Sequence, residues 1–188
     1  MPDRIEKHII GFCGFTEQPS EETTVQSGIF DLFDQLWVKR SKLDAMIHAP
    51  YLWDHNINNL AAFLRGRGAK KVLVYGYSWG GCTAINLCRK ISEIEVSELY
   101  LSDPVRRPFS VMGKLSFLRN MLPFYIPRNV KSTRLYRQEG DWPTGFSGRV
   151  HSSLNQHLEE FVAQKVKHVD MDKYPGFTAD VLKAADRL

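Results

Sequence analysis

Ser78 is the residue of this sequence best placed to do chemistry. It stands in Gly76-Tyr77-Ser78-Trp79-Gly80, between the apolar run Val72–Tyr75 and the helix-forming segment Thr83–Lys90. The run reads as a buried strand, so the serine falls on a sharp strand-to-helix turn that pushes its hydroxyl out above the end of a sheet. The two flanking glycines leave room where strand and helix converge. A serine hydroxyl is a poor nucleophile at neutral pH and needs a neighbouring base to take its proton. The N–H of Trp79, the next residue, points from a helix N-terminus and can help hold a developing oxyanion. An acid is needed to orient the base, and Asp103-Pro104 follows the strand Val96–Ser102 at its carboxyl end, where catalytic groups of open α/β sheets collect. An Asp-Pro turn is the plainer reading of the same residues.

The strand, the Gly-x-Ser-x-Gly turn and the helix together form a nucleophile elbow, and in this unit the chain resembles the α/β-hydrolase superfamily. Several expectations follow from the resemblance. Most members place the acid one strand later, where this sequence has Asp141. The pancreatic-lipase type places it in an Asp-Pro after the earlier strand, and Asp103 is similar to that variant. The general base of such proteins lies on the loop before the last helix, which points to His168, with His151 and then His157 as rivals. The order Ser78, Asp103, His168 agrees with the order in the superfamily. The loop after the first strand supplies the second oxyanion donor from its backbone. Cys13-Gly14-Phe15 looks like the counterpart of a His-Gly-x motif, with Phe15 as the donor and Phe12 and Cys13 as close rivals. The implied activity is that of a small lipase- or esterase-like serine hydrolase, acting on a carboxylic ester or thioester through an acyl-serine. It requires no cofactor and no metal.

The elements that must position these residues follow from periodicity. Ile5–Phe12 reads as the first strand, and the polar stretch Glu17–Thr24 as a surface loop. Val25–Lys39 carries Ile29, Leu32, Phe33, Leu36 and Trp37 at helical spacing. Lys42–Ala49 is a second strand ended by Pro50, with His48 on it as a buried histidine. Asp54 is expected to cap a helix over Asn56–Arg67, which Gly66 and Gly68 close. Ser132–Arg137 alternates as a fifth strand. Val150–Val162 presents Leu154, Leu158 and Phe161 on a helix-like face, and Gln164–Asp170 reads as a final strand ending at His168. An amphipathic helix, Phe177–Leu188, closes the chain. The alternation of strand and helix predicts an α/β fold of hydrolase type, one domain over residues 1–188, with a mostly parallel sheet covered on both faces.

One segment breaks the alternation. Residues 106–128 combine many large apolar side chains with Arg106, Arg107, Lys114, Arg119 and Arg128, and no acidic residue falls between Asp103 and Glu139. Core with a solvated basic face, a lid or acyl-binding wall, and an interfacial segment meeting anionic lipid are the three readings. The lid reading leads, as an insertion over about 104–130. It favours a hydrophobic acyl substrate as partner, with a lipid interface as the second. A non-catalytic hydrolase-fold protein docking a partner or membrane through 106–128 is the alternative function.

The 188 residues, with 43% hydrophobic and 24% charged content, suit one ordinary globular domain. The net charge of +4 is mild, and without a recognition motif no nucleic-acid partner is expected. Cys13, Cys82 and Cys88 read as core-filling thiols in a reducing compartment, and they form no metal-ligand spacing. The start, MPDRIEKHII, lacks the apolar block of a signal peptide, and no run reaches membrane-span length, so a cytoplasmic location is expected.

Overall fold

Apolar runs dictate the sheet. The computed structural model describes residues 5–15, 27–105, 124–139, 150–151 and 157–188. In it β1 (Lys7–Phe12), β3 (Lys71–Tyr77) and β4 (Glu95–Ser102) are the runs IIGF, VLVYGY and LYLS with their leading residues. With β2 (Met46–Ile47), β6 (Val130–Glu139) and β8 (His157–Gln164) they form a six-stranded sheet, ordered β2-β1-β3-β4-β6-β8. Every pairing in it is parallel. A second, two-stranded pair joins β5 (Phe124–Tyr125) to β7 (Val150–His151).

Alternate residues of a strand face opposite ways, and β3 divides its side chains accordingly. Val72 and Val74 join Leu60 and Leu64 of α2 (Ile57–Gly66) and Ile85 and Cys88 of α3 (Trp79–Lys90) on one face. Leu73, Tyr75 and Tyr77 join Ile29, Leu32 and Leu36 of α1 (Gly28–Lys39) and Phe177 and Val181 of α4 (Pro175–Ala185) on the other. A sheet covered on both faces explains why its strands read as continuous apolar runs rather than alternating ones.

Strand order also fixes where a site can form. From β1 the chain crosses to one side to make β2; from β3 it moves steadily the other way through β4, β6 and β8. The order therefore reverses between β1 and β3, and the crevice beyond their carboxyl ends is where ligands bind in such sheets. The Cys13–Phe15 loop and Ser78 leave from those two ends.

Four local expectations are corrected. The strand expected over Lys42–Ala49 shrinks to Met46–Ile47, because Arg40–Lys42 continues α1 as a 3-10 turn and only Met46 and Ile47 meet β1. The helix α2 is capped by Asn56, whose side chain accepts from the Asn58 N–H, and not by Asp54. Of the helix-like face expected over Val150–Val162, residues 152–156 with Leu154 lie outside the described residues, and the part from His157 is instead a strand: β8 pairs with β6 at eight positions, from Ser132–His157 to Glu139–Gln164. The open edge of β6 decides this, with Arg134 pairing with Glu159 at 2.9 Å and Arg137 with Glu160 across it. The final strand expected over Gln164–Asp170 is absent, since β8 has already ended. Lys165 turns the chain at φ 61°, and His168–Lys173 is a 3-10 turn. Most of the segment expected to be a lid, 106–123, lies outside the described residues. Among the described residues no helix is long and apolar enough to cross a membrane.

Tyr75 is fully buried, and its hydroxyl has no hydrogen-bond partner among the described residues. A buried hydroxyl without a partner keeps its full desolvation cost. Tyr75→Phe is therefore expected to stabilise the fold by about 1 kcal/mol, seen as a higher urea midpoint. A lower midpoint would mean that the phenol carries a contact.

Candidate active site

The backbone at Ser78 takes φ 52° and ψ −121°, a conformation strained for a residue with a Cβ. Surrounding structure holds it there. The Ser78 N–H donates to the Ser102 carbonyl at 3.0 Å, and the Ser78 carbonyl accepts from Val105 at 3.0 Å and Gly81 at 3.1 Å. Three glycines allow the close approaches. A Cβ on Gly76 would sit 2.7 Å from the Gly80 carbonyl oxygen, and one on Gly81 2.8 Å from the Pro104 Cβ. One on Gly80 would run into the carbonyl oxygens of Phe12 and Cys13. The first turn of α3 is thus pressed between the loop after β1 and the residue that follows Asp103.

Asp103 follows β4 at φ 41° and is fully buried. Its N–H donates to the Tyr136 carbonyl at 2.7 Å, which ties the turn to β6. Its Oδ2 lies 2.5 Å from His168 Nδ1, while Oδ1 has no partner among the described residues. His168 opens the 3-10 turn after β8, with its side chain 11% exposed, and its Nε2 lies 3.0 Å from Ser78 Oγ. Ser78, His168 and Asp103, spread over 90 residues of sequence, are one hydrogen-bonded line.

The 3-10 turn that carries His168 is held by side chains the sequence did not mark. The Tyr77 hydroxyl donates to the His168 carbonyl at 2.8 Å, and the Ser102 hydroxyl donates to the Met171 carbonyl at 2.6 Å. Asp172 accepts from the Gly28 N–H at 2.6 Å, joining the turn to the start of α1. Tyr77 and Ser102 each directly precede a member of the line, Ser78 and Asp103. The two strands that present the hydroxyl and the carboxylate therefore also anchor the imidazole between them. A polar residue one position before each candidate was the signal available for finding them.

Of the oxyanion candidates, Trp79 is the first residue of α3. The Cys13 N–H is donated to the Tyr51 carbonyl at 2.9 Å, which takes it out of contention. Phe12 lies within the β1 ladder opposite Gly76, whereas Phe15 stands beyond it. The Phe15 ring packs on Trp79 at 4.4 Å between centroids and on Trp53 at 5.6 Å, and Trp53 meets Trp79 at 4.8 Å. Two loops and the first residue of α3 thus bring three rings together next to Ser78, with Phe15 53% exposed. Of the rivals, Asp141 and the His151 side chain lie outside the described residues. His157 sits exposed at the start of β8, 2.7 Å from Glu159, on the edge strand of the sheet. Among the described residues no group of three or more His, Cys, Asp or Glu is arranged to hold a metal ion.

No family model matches the chain, and no curated protein matches it. Solved structures do. MGS-MChE2, an α/β-hydrolase enzyme from the metagenome of sediments from the lagoon of Mar Chica, Morocco, is 14% identical with a TM-score of 0.53. The match covers 95% of this chain and 89% of that one. The type II thioesterase BorB from the borrelidin biosynthetic cluster is 12% identical with a TM-score of 0.47, covering 95% and 92% of the two chains. A likeness of the first extent at so low an identity is one of backbone rather than of side chains: this chain has the fold of the α/β hydrolases.

Proposed function

We propose that the protein is a serine hydrolase that cleaves a carboxylic ester or thioester of a hydrophobic acyl group. The observation that carries this reading is the 3.0 Å contact between Ser78 Oγ and His168 Nε2, with Asp103 2.5 Å behind the same ring. A carboxylate only accepts, so His168 Nδ1 bears the ring proton and Nε2 offers its lone pair to the serine hydroxyl. In the reaction His168 takes the Ser78 proton as Oγ attacks the carbonyl carbon. The N–H groups of Trp79 and Phe15 then receive the oxyanion. His168 returns the proton to the departing alcohol or thiol, and water releases the acyl group from Ser78 by the same steps. The strained backbone at Ser78 supports the reading, since strain of this kind persists where the surrounding structure over-determines it.

The Phe15, Trp53 and Trp79 rings support the hydrophobic substrate. Each added methylene that reaches such a wall is worth about 0.8 kcal/mol, or about fourfold in kcat/KM. The non-catalytic docking alternative rests on 106–128, and no described residue favours it.

The test is labelling with a fluorophosphonate, located by mass spectrometry, beside a series of esters of increasing acyl length. The label is expected on the peptide containing Ser78. Trp53→Ala is expected to flatten the rise of kcat/KM with chain length while changing the acetyl ester little. A folded protein that takes no label overturns the hydrolase reading. A flat chain-length series in the parent removes the hydrophobic acyl group and leaves the chemistry.

A further inference from the structure

We infer that Tyr51, held through His48 by His8, is the positioning residue for the loop that carries the second oxyanion donor, an inference that rests on the hydrolase reading above. The backbone of Tyr51 brackets the end of β1: its N–H donates to the Gly11 carbonyl and its carbonyl accepts from the Cys13 N–H, both at 2.9 Å. On its other side the same loop lies against Gly80, where no Cβ fits. The loop that leads to Phe15 is therefore clamped between α3 and Tyr51, and the placement of Tyr51 sets the distance from Phe15 to Ser78.

The Tyr51 side chain is fixed by a chain of three contacts that the reaction itself does not use. Its hydroxyl lies 2.9 Å from His48 Nδ1, His48 Nε2 lies 3.0 Å from His8 Nδ1, and His8 Nε2 lies 3.0 Å from the Ile5 carbonyl. Both histidines are buried, at 0% and 6% exposure. The direction of every bond follows from the last one. A carbonyl only accepts, so His8 Nε2 carries the proton and neutral His8 offers Nδ1 as acceptor. His48 must then donate from Nε2 and accept at Nδ1, and Tyr51 must donate its hydroxyl proton to it. One carbonyl thus sets both tautomers and the orientation of the phenol. A further proton anywhere in the chain reverses the Tyr51 bond and leaves its hydroxyl hydrogen to find another acceptor.

The surroundings keep the chain neutral. Burial, then the repulsion that a second proton would meet from His8, pushes His48 down to about 4; burial and nearby Arg67 lower His8, against the opposing effect of the Ile5 carbonyl. Phe63 packs edge-on to both imidazoles. On the far side the Tyr51 ring packs at a tilt on His55, 4.4 Å between centroids, whose own pKa is lowered by burial against the opposing charge of Asp54.

Tyr51→Phe keeps the ring and removes the hydroxyl. Because one oxyanion donor is worth about 10²–10³ in kcat, a donor left slightly misplaced is expected to cost about tenfold in kcat and in the rate of fluorophosphonate labelling, with KM unchanged. His48→Gln, whose amide can donate toward His8 and accept from Tyr51, is expected to keep kcat within about threefold of the parent, whereas His48→Leu is expected to match Tyr51→Phe. Nitrogen NMR at neutral pH is expected to find both His8 and His48 protonated at Nε2. An Nδ1-protonated tautomer at either ring overturns the chain. A Tyr51→Phe protein that melts earlier yet labels at the parent's rate overturns the positioning role while leaving the hydrolase intact. A parent that does not label overturns both.

Discussion

Ser78→Ala is expected to lower kcat about 10⁶-fold and to abolish fluorophosphonate labelling, with the fold retained. The size follows from the hydrogen-bonded line: without Oγ the imidazole of His168 has no proton to take, and what remains is binding and the oxyanion donors. Retention of the fold follows from the backbone. Ser78 pays for φ 52° through its Cβ, and alanine has the same Cβ, so the exchange leaves the strain as it was. The hydrogen bonds that hold the turn, to Ser102, Val105 and Gly81, all run through the backbone and survive it. Ser78→Gly separates strain from chemistry. It is expected to be as inactive as the alanine variant but about 1 kcal/mol more stable, measured by urea unfolding. Turnover by Ser78→Ala within tenfold of the parent would show that another group is the nucleophile. A glycine variant less stable than the alanine variant by about 0.5–1 kcal/mol, the cost of glycine's freedom in the unfolded chain alone, would show that the elbow carries no strain.

The sequence made the centre of the sheet legible and its edge illegible, for one physical reason. The strands β1, β3 and β4 are buried on both faces, so their runs had to be apolar, and Gly76, Gly80 and Gly81 had to be small because backbone and Pro104 come within contact distance of them. Each of those constraints acts on the residue itself. The strand β8 is different: of HLEEFVAQ only Ala163 is buried, and the strand exists because β6 offers it a ladder and two arginines. Its own residues satisfy a helical spacing equally well, so the information lay in the partner. The same holds around the site. The elbow announced Ser78 locally. The clamps from Tyr77 and Ser102 onto the His168 turn, the tie from Asp172 within that turn to Gly28, and the contact of His8 with His48 across 40 residues depend on long-range pairing, and no local pattern names the partners.

Asp103→Asn is expected to lower kcat about 10⁴-fold while leaving the protein at least as stable. The backbone should accept the change, because Asn tolerates the positive φ of 41° about as well as Asp does. Electrostatics should favour it too: the carboxylate is fully buried, and one of its oxygens has no partner among the described residues, so a neutral amide removes a desolvation cost. What is lost is the tautomer. A carboxylate 2.5 Å from His168 Nδ1 can only accept, which keeps the proton on Nδ1 and the lone pair on Nε2. An amide can instead donate to Nδ1, which moves the ring proton to Nε2 and sets it against the Ser78 hydroxyl as a donor. The serine then has no base within reach. Kinetics at saturating ester, with a thermal melt beside them, check both halves. The decisive contrast is Asp141→Asn, since Asp141 is the rival acid one strand later. A loss of about 10⁴ in that variant, with Asp103→Asn close to the parent, would move the acid to the end of β6. The 2.5 Å contact would then be an ion pair that holds the His168 turn and no more.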